Sequence, residues 1–435
     1  MSSARPIHER SSRREFLGGA LGGAALAMLS QSRAAVAGEP PAGAALSDEE
    51  ILARITPHRP SRGGRIPADL ARRLGTAHVG GRYHLTSKPF LIEGAEQVHQ
   101  LGFGGIKLWC TNLERGYPFN SDWRLPAAPG LAELVQHPYF EAAFALPFTV
   151  IALEVFAPPG PPGGRAITDP AYDAGRDEQA MYELSTYLLR RYAGRDVTFL
   201  LQNWEGDWLL RGAARDGWMR GEYPQLEARV AGFIRWFNAR QRGIERARAE
   251  ATPGRCRVFH AVEVNRVFDA VAGIPTMTTH VLPHVRPDFI SWSCYDGLMT
   301  ATRDGGKTAI GLWRGLDLIQ QHARTTQRDP AGRPAVFIGE LGFPENITTP
   351  AGAVEMMDGA FGTLFARDVP YLLYWELYCN ERKDGTRPVV LKSAQADELR
   401  GFWLVRPDGT KGGVGRYLHR LLAHAGGRLP ASSVD

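Results

Sequence analysis

The chain has 435 residues, of which 44% are hydrophobic, 10% aromatic and 22% charged. That is a globular composition, outside the range of disordered or fibrous chains, and long enough for one large α/β barrel. The formal net charge is only +5, and much of that excess sits near the N-terminus, which leaves no electrostatic case for a nucleic-acid partner.

At the N-terminus, Ser12-Arg13-Arg14-Glu15-Phe16-Leu17 stands before an Ala/Gly-rich apolar run over 18–29, and Ala35-Val36-Ala37 follows as a small-residue cleavage site. This order resembles a twin-arginine export signal, with Gly18 where that signal often carries a lysine. The expectation is a signal peptide over 1–37 and a periplasmic or secreted mature protein; the alternative is a basic tail with a chance arginine pair. Past the signal no apolar run approaches the roughly 20 residues of a membrane span, so no membrane contact is expected after its removal. Residues 38–55 read as a linker and a short helix capped by Ser47.

From 56 to 435, short apolar runs alternate with amphipathic stretches, the pattern of a parallel sheet with crossover helices. In chain order the strands are expected at 78–85, 105–109, 148–155, 197–203, 257–264, 289–294, 335–339 and 371–377. Helices are expected at 89–101, 178–192, 225–248, 309–325, 353–366 and 415–423. The strand runs are apolar on both faces, as buried parallel strands are. Eight such units favour a closed (β/α)8 TIM barrel in one catalytic domain. No Gly-x-Gly-x-x-Gly follows the first strand, which argues against a dinucleotide fold. The long connections follow the second, third and fourth strands, on the side where barrels build their sites.

Four cysteines, Cys110, Cys256, Cys294 and Cys379, are widely spaced and lie in or beside apolar runs. They read as buried thiols, with a Cys294–Cys379 bridge as the alternative, and they lack zinc spacing. His280 and His284 are four apart, but Pro283 interrupts them and no third ligand is evident. No metal and no cofactor are called for.

Two acids stand at strand ends: Glu205, past Leu200-Leu201-Gln202-Asn203-Trp204, and Glu340, past Val336-Phe337-Ile338-Gly339. Strands four and seven lie roughly across a barrel mouth, and breaking a glycosidic bond calls for two facing carboxyls. Ile338-Gly339-Glu340-Leu341-Gly342, Leu373-Tyr374-Trp375, Ser293-Cys294-Tyr295 and Gly401-Phe402-Trp403-Leu404-Val405-Arg406-Pro407-Asp408-Gly409 are similar to stretches of the clan A glycoside hydrolases. That resemblance implies a retaining hydrolase with Glu205 as acid/base and Glu340 as nucleophile, Trp375 as a floor under the sugar and Tyr295 as a partner of the nucleophile. The chain departs from it at Trp204, which separates Asn203 from Glu205 where the clan has the two adjacent. Either a bulge re-aims Glu205 or the acid is another group such as Glu263. For Glu340 the alternative is a structural ion pair beneath the rim.

A carbohydrate partner needs aromatic faces and polar side chains. Trp375, Trp109, Trp204, Trp208 and Tyr295 are the aromatic candidates, and Asn203, His84 and Lys107 the polar ones. Lys107, inside an apolar strand, needs a partner. Asp296 and Glu376 also stand near strand ends, with Glu376 turned away from Trp375 by strand alternation. A catalytically silent glycan-binding barrel, a transglycosylase using the same residues and a metal-dependent barrel hydrolase are the alternatives. The last lacks a His-x-His on the first strand.

Overall fold

The computed structural model describes residues 46–126, 129–158, 165–298, 304–385 and 395–430. The signal-peptide reading over 1–37, the linker up to 45 and residues 159–164 of the connection after the third strand lie outside the described residues. Eight parallel strands close into a barrel in sequence order: β1 Leu74–Ala77, β2 Gly105–Trp109, β3 Val150–Glu154, β4 Thr198–Gln202, β5 Arg257–Val264, β6 Phe289–Ser293, β7 Val336–Leu341 and β8 Leu372–Tyr374. β8 pairs with β1 to seal it, Leu74 opposite Leu372.

A helical layer surrounds the strands. α1 (Asp48–Ile55) precedes the barrel, its N-terminus closed by a capping box in which Ser47 and Glu50 satisfy each other's backbone N–H groups. α2 (Phe90–Gln100), α3 (Pro138–Ala145), α4 (Gly175–Arg191), α5 (Leu226–Glu250), α6 (Gly305–His322) and α7 (Pro350–Ala366) make crossovers, and α8 (Gly413–Ala423) follows β8. Between β5 and β6 the described chain forms only short turns, Val267–Ala272, Met277–His280 and Leu282–His284, so His280 and His284 sit on separate turns. No helix among the described residues is long and apolar enough to cross a membrane.

The first strand is a correction. It was expected at 78–85 and lies at Leu74–Ala77. The sequence Leu-Gly-Thr-Ala lacks the β-branched run that announces a strand, and its glycine serves close approach: a Cβ on Gly75 would lie 2.6 Å from the Gly105 carbonyl. The stretch after it, 78–85, crosses the rim, with Gly80 at φ +66°.

Inside the barrel the lower half is apolar. Val150, Ala152, Leu200, Ala261, Phe289, Ala335, Phe337 and Leu373 form one cluster, apart from the larger core outside the strands. All four cysteines are buried and unlinked.

Two histidines are sealed in the interior. Burial pushes His78 down to about 4, only partly countered by the Phe90 carbonyl. Burial first, then Arg240 and Arg248, holds His260 well below its ordinary range. In the unfolded chain both return to about 6.5. Below that value the unfolded state binds more protons than the folded one, so stability falls as the pH drops from about 6.5 toward 4. The melting temperature should decline across that window, and less steeply in His78→Gln; a flat profile would refute the assignment.

Candidate active site

Two residues beyond the apolar cluster, on the same inward-facing alternation, the strands turn polar. Gly105 is followed by Lys107, Ala152 by Glu154, Leu200 by Gln202, Ala261 by Glu263 and Phe289 by Ser291. The register sets Glu154 opposite Trp109 and Gln202, and Glu263 opposite Ser291. This polar tier lies at the C-terminal ends of the strands, where barrel enzymes work.

Glu263 is its hub. One carboxylate oxygen accepts from Lys107 Nζ (3.0 Å), Gln202 Nε2 (2.6 Å) and Ser291 Oγ (3.0 Å), and the other from the Glu205 backbone N–H (2.9 Å). These four partners are all donors, so Glu263 is engaged as an acceptor, which argues against it as the acid. Lys107 reaches on to Glu340 Oε1 at 3.0 Å. Burial works against the charge on Lys107, but Glu263, Glu340 and Glu154 together outweigh it and hold the ammonium above its ordinary range.

Glu340 reaches the tier through an irregularity. Ile338 pairs with Trp292, yet Ser293 pairs with Glu340, so the register slips by one residue and a residue of outward parity turns toward the barrel axis. Gly339 makes this possible: a Cβ there would lie 1.9 Å from Ser291 Oγ and 2.8 Å from a Glu263 oxygen. The second Glu340 oxygen accepts from the Tyr295 hydroxyl at 3.4 Å, and its carbonyl accepts from the Cys294 N–H at 3.0 Å.

The extra Trp204 is accommodated by ending β4 early. Asn203 leaves the strand and clamps its amide on the β5 backbone, accepting from the Glu263 N–H (2.9 Å) and donating to the Glu263 carbonyl (3.1 Å). It thus adds a rung to the ladder instead of facing the barrel mouth. Trp204 turns the chain, and Glu205 stands at the N-cap position of the short helix Gly206–Arg211 without a side-chain capping bond. A Cβ on Gly206 would lie 2.5 Å from the Glu263 carbonyl, so the turn can press against β5 only with glycine there.

The aromatic candidates separate into two groups. Trp375, just past β8 and joined to Glu376 by a cis peptide, is buried with its ring 6.3 Å from that of half-buried Trp109. Trp208 is packed in a rim cluster of arginines, with the guanidiniums of Arg211, Arg215 and Arg266 at 5.3, 4.9 and 5.5 Å; Arg215 also lies 5.9 Å from the Trp204 ring. His84, no longer on a strand, is exposed and bonded to the Thr86 carbonyl. Asp296 accepts from the Phe268 N–H, and burial pushes its carboxyl up to about 7. Glu376 accepts from the Asn380 N–H at 3.0 Å.

Sequence reading missed Glu154, Gln202 and Ser291. The signal was present: counting back by twos from each lands on small or apolar inward residues, so a polar side chain at the next inward position belongs to the mouth. Burial pushes the Glu154 carboxyl well above the usual range; Lys107 opposes this, and Glu263, Glu340 and Glu205 add to it.

No family model matches the chain, and no curated protein matches it in sequence. Among solved structures it is similar to a β-glucuronidase of Bacteroides uniformis (11% identity, TM-score 0.44), over 83% of this chain and 35% of that one. A family 39 glycoside hydrolase of Bacteroides cellulosilyticus (12%, 0.47) is matched over 83% of this chain and 65% of its own. A further family 39 enzyme, of Xanthomonas axonopodis pv. citri (14%, 0.47), is matched over 86% and 70%. The chain thus spans about a third of the glucuronidase and just under two thirds of the first family 39 enzyme. At these identities and scores the likeness carries no argument about activity, which rests on the side chains.

Proposed function

We propose that the chain is a glycoside hydrolase that cleaves a poly- or oligosaccharide by retaining double displacement. The single observation that carries this reading is the buried Glu263–Lys107–Glu340 cluster at one end of the barrel, with Glu154 ending β3 beside it and the Glu205 backbone N–H bonded to Glu263. A structural ion pair calls for matched charges. One ammonium bonded to two buried carboxyls departs from that match, and such arrangements cluster where chemistry is done.

In this reading Lys107 keeps Glu340 ionised as the nucleophile. Its carboxylate attacks the anomeric carbon while Glu205 protonates the departing glycosidic oxygen, and the carbon–oxygen bond breaks. Glu205 then takes a proton from water, whose oxygen attacks the anomeric carbon and releases Glu340. Both carboxyls are covered, Glu205 being 3% and Glu340 0% exposed, so substrate entry includes opening of the rim. Export belongs to the proposal too, supported by the arginine pair, apolar run and cleavage site within 1–37.

The test is hydrolysis of a panel of aryl glycosides and oligosaccharides by the mature chain beside Glu340→Gln. Activity is expected in the first and absent from the second, with the first-formed product keeping the substrate's anomeric configuration. Hydrolysis that survives Glu340→Gln removes the assignment. The competing reading, a glycan-binding barrel without turnover, draws on the full burial of Glu340 and would give binding without products.

A further inference from the structure

Glu154 ends β3 on the inward face, and is 2% exposed. Its Oε2 has no hydrogen-bond partner among the described residues, an arrangement that a buried carboxylate does not sustain. The neighbouring bonds explain how it persists. Glu263 and Glu340 accept from Lys107 and from further donors, so one ammonium is already shared between two carboxyls. A third anion in the same enclosure would have no donor for Oε2 among the described residues and would share an ammonium that already bonds two carboxyls.

We propose that Glu154 is a third functional carboxyl of this site, one that carries a proton at rest and donates it in a hydrogen bond to a substrate hydroxyl. The first half stands on the geometry alone; the second rests on the glycoside hydrolase reading. A carboxylic acid kept neutral at neutral pH is a hydrogen-bond donor where carboxylates can only accept, so Glu154 supplies a contact that Glu263 and Glu340 cannot make. A sugar hydroxyl accepts from it without any bond being made or broken. The titratable groups that face it are Lys107 from β2, Glu205 after β4, Glu263 from β5 and Glu340 from β7. Cys110 and Tyr117 sense it as well, and burial pushes both of these up, so they stay neutral.

The resting proton is tested by infrared spectroscopy of the mature protein at neutral pH. A protonated-carboxyl band is expected in the difference spectrum of the unmodified chain minus Glu154→Gln, which cancels the bands of Glu205, protonated as the acid, and of Asp296, whose carboxyl is pushed up to about 7. A difference spectrum without that band places the proton elsewhere and overturns the proposal. The donor role is tested with the best-cleaved aryl glycoside of the panel. Glu154→Leu should raise KM roughly tenfold with a smaller change in kcat, and Glu154→Gln, which still donates through its amide, should recover most of the loss. Unchanged KM in Glu154→Leu, or equal KM in both variants, overturns the donor role. If the panel yields no substrate, the hydrolase reading and the donor role fall together, and the infrared result still decides where the proton lies.

Discussion

Lys107→Met should destabilise the protein by about 3–5 kcal/mol, the usual consequence of removing one partner from a buried ion pair. Lys107 is 0% exposed and bonds Glu263 and Glu340 at 3.0 Å each. Methionine fills much of the same volume, so the lost packing is small and the loss reports the charge. Two carboxylates would remain in the interior with their hydroxyl, amide and backbone donors but without the ammonium. They can relieve this only by taking up protons, so the deficit should shrink as the pH falls. Urea denaturation at several pH values measures both features. A deficit under about 1 kcal/mol at neutral pH would mean that Lys107 is not the counter-ion. Glu263→Gln combined with Lys107→Met should be less harmful than the sum of the two, because they share one interaction.

Glu205→Gln should lower kcat/KM by roughly 10²- to 10⁴-fold for substrates with a poor leaving group, the range expected when a general acid is removed. The glutamine keeps the shape of the side chain, and the backbone N–H of residue 205 can still donate to Glu263 as it now does at 2.9 Å, so folding should survive. With an activated aryl leaving group, which departs without protonation, bond cleavage should be largely spared. The later step, in which Glu205 acts as base on water, should then limit turnover. A rapid first release of the phenol followed by slow steady turnover is the expected trace in stopped-flow absorbance. Equal losses for good and poor leaving groups would show that Glu205 does not deliver the proton.

Much of the barrel was legible because buried parallel strands announce themselves as apolar runs. β2 and β5 fall where periodicity put them, and the first helix starts at the Ser47 cap. β1 was not legible, because Gly75 is chosen for contact with Gly105 and not for strand propensity. At the site, Glu205 and Glu340 stood out as acids closing apolar strands. What could not be read was how they are aimed. The slip in register at Glu340 depends on Ser293 of another strand, and the accommodation of Trp204 depends on Asn203 reaching the backbone of Glu263. Both are long-range pairings that local pattern does not encode. Lys107 was recognised as needing a partner, but Glu263 as the shared centre of the network emerged only when five strands were brought together.

Cys110, Cys256, Cys294 and Cys379 lie singly in the interior, so the native architecture carries no covalent cross-link. Its energetics rest on apolar burial and on the polar network alone, and the thiol–disulfide poise of the surroundings does not enter them. Such a chain can reach its final form in a reducing milieu and keep it unchanged in an oxidising one, with no oxidative maturation step between the two.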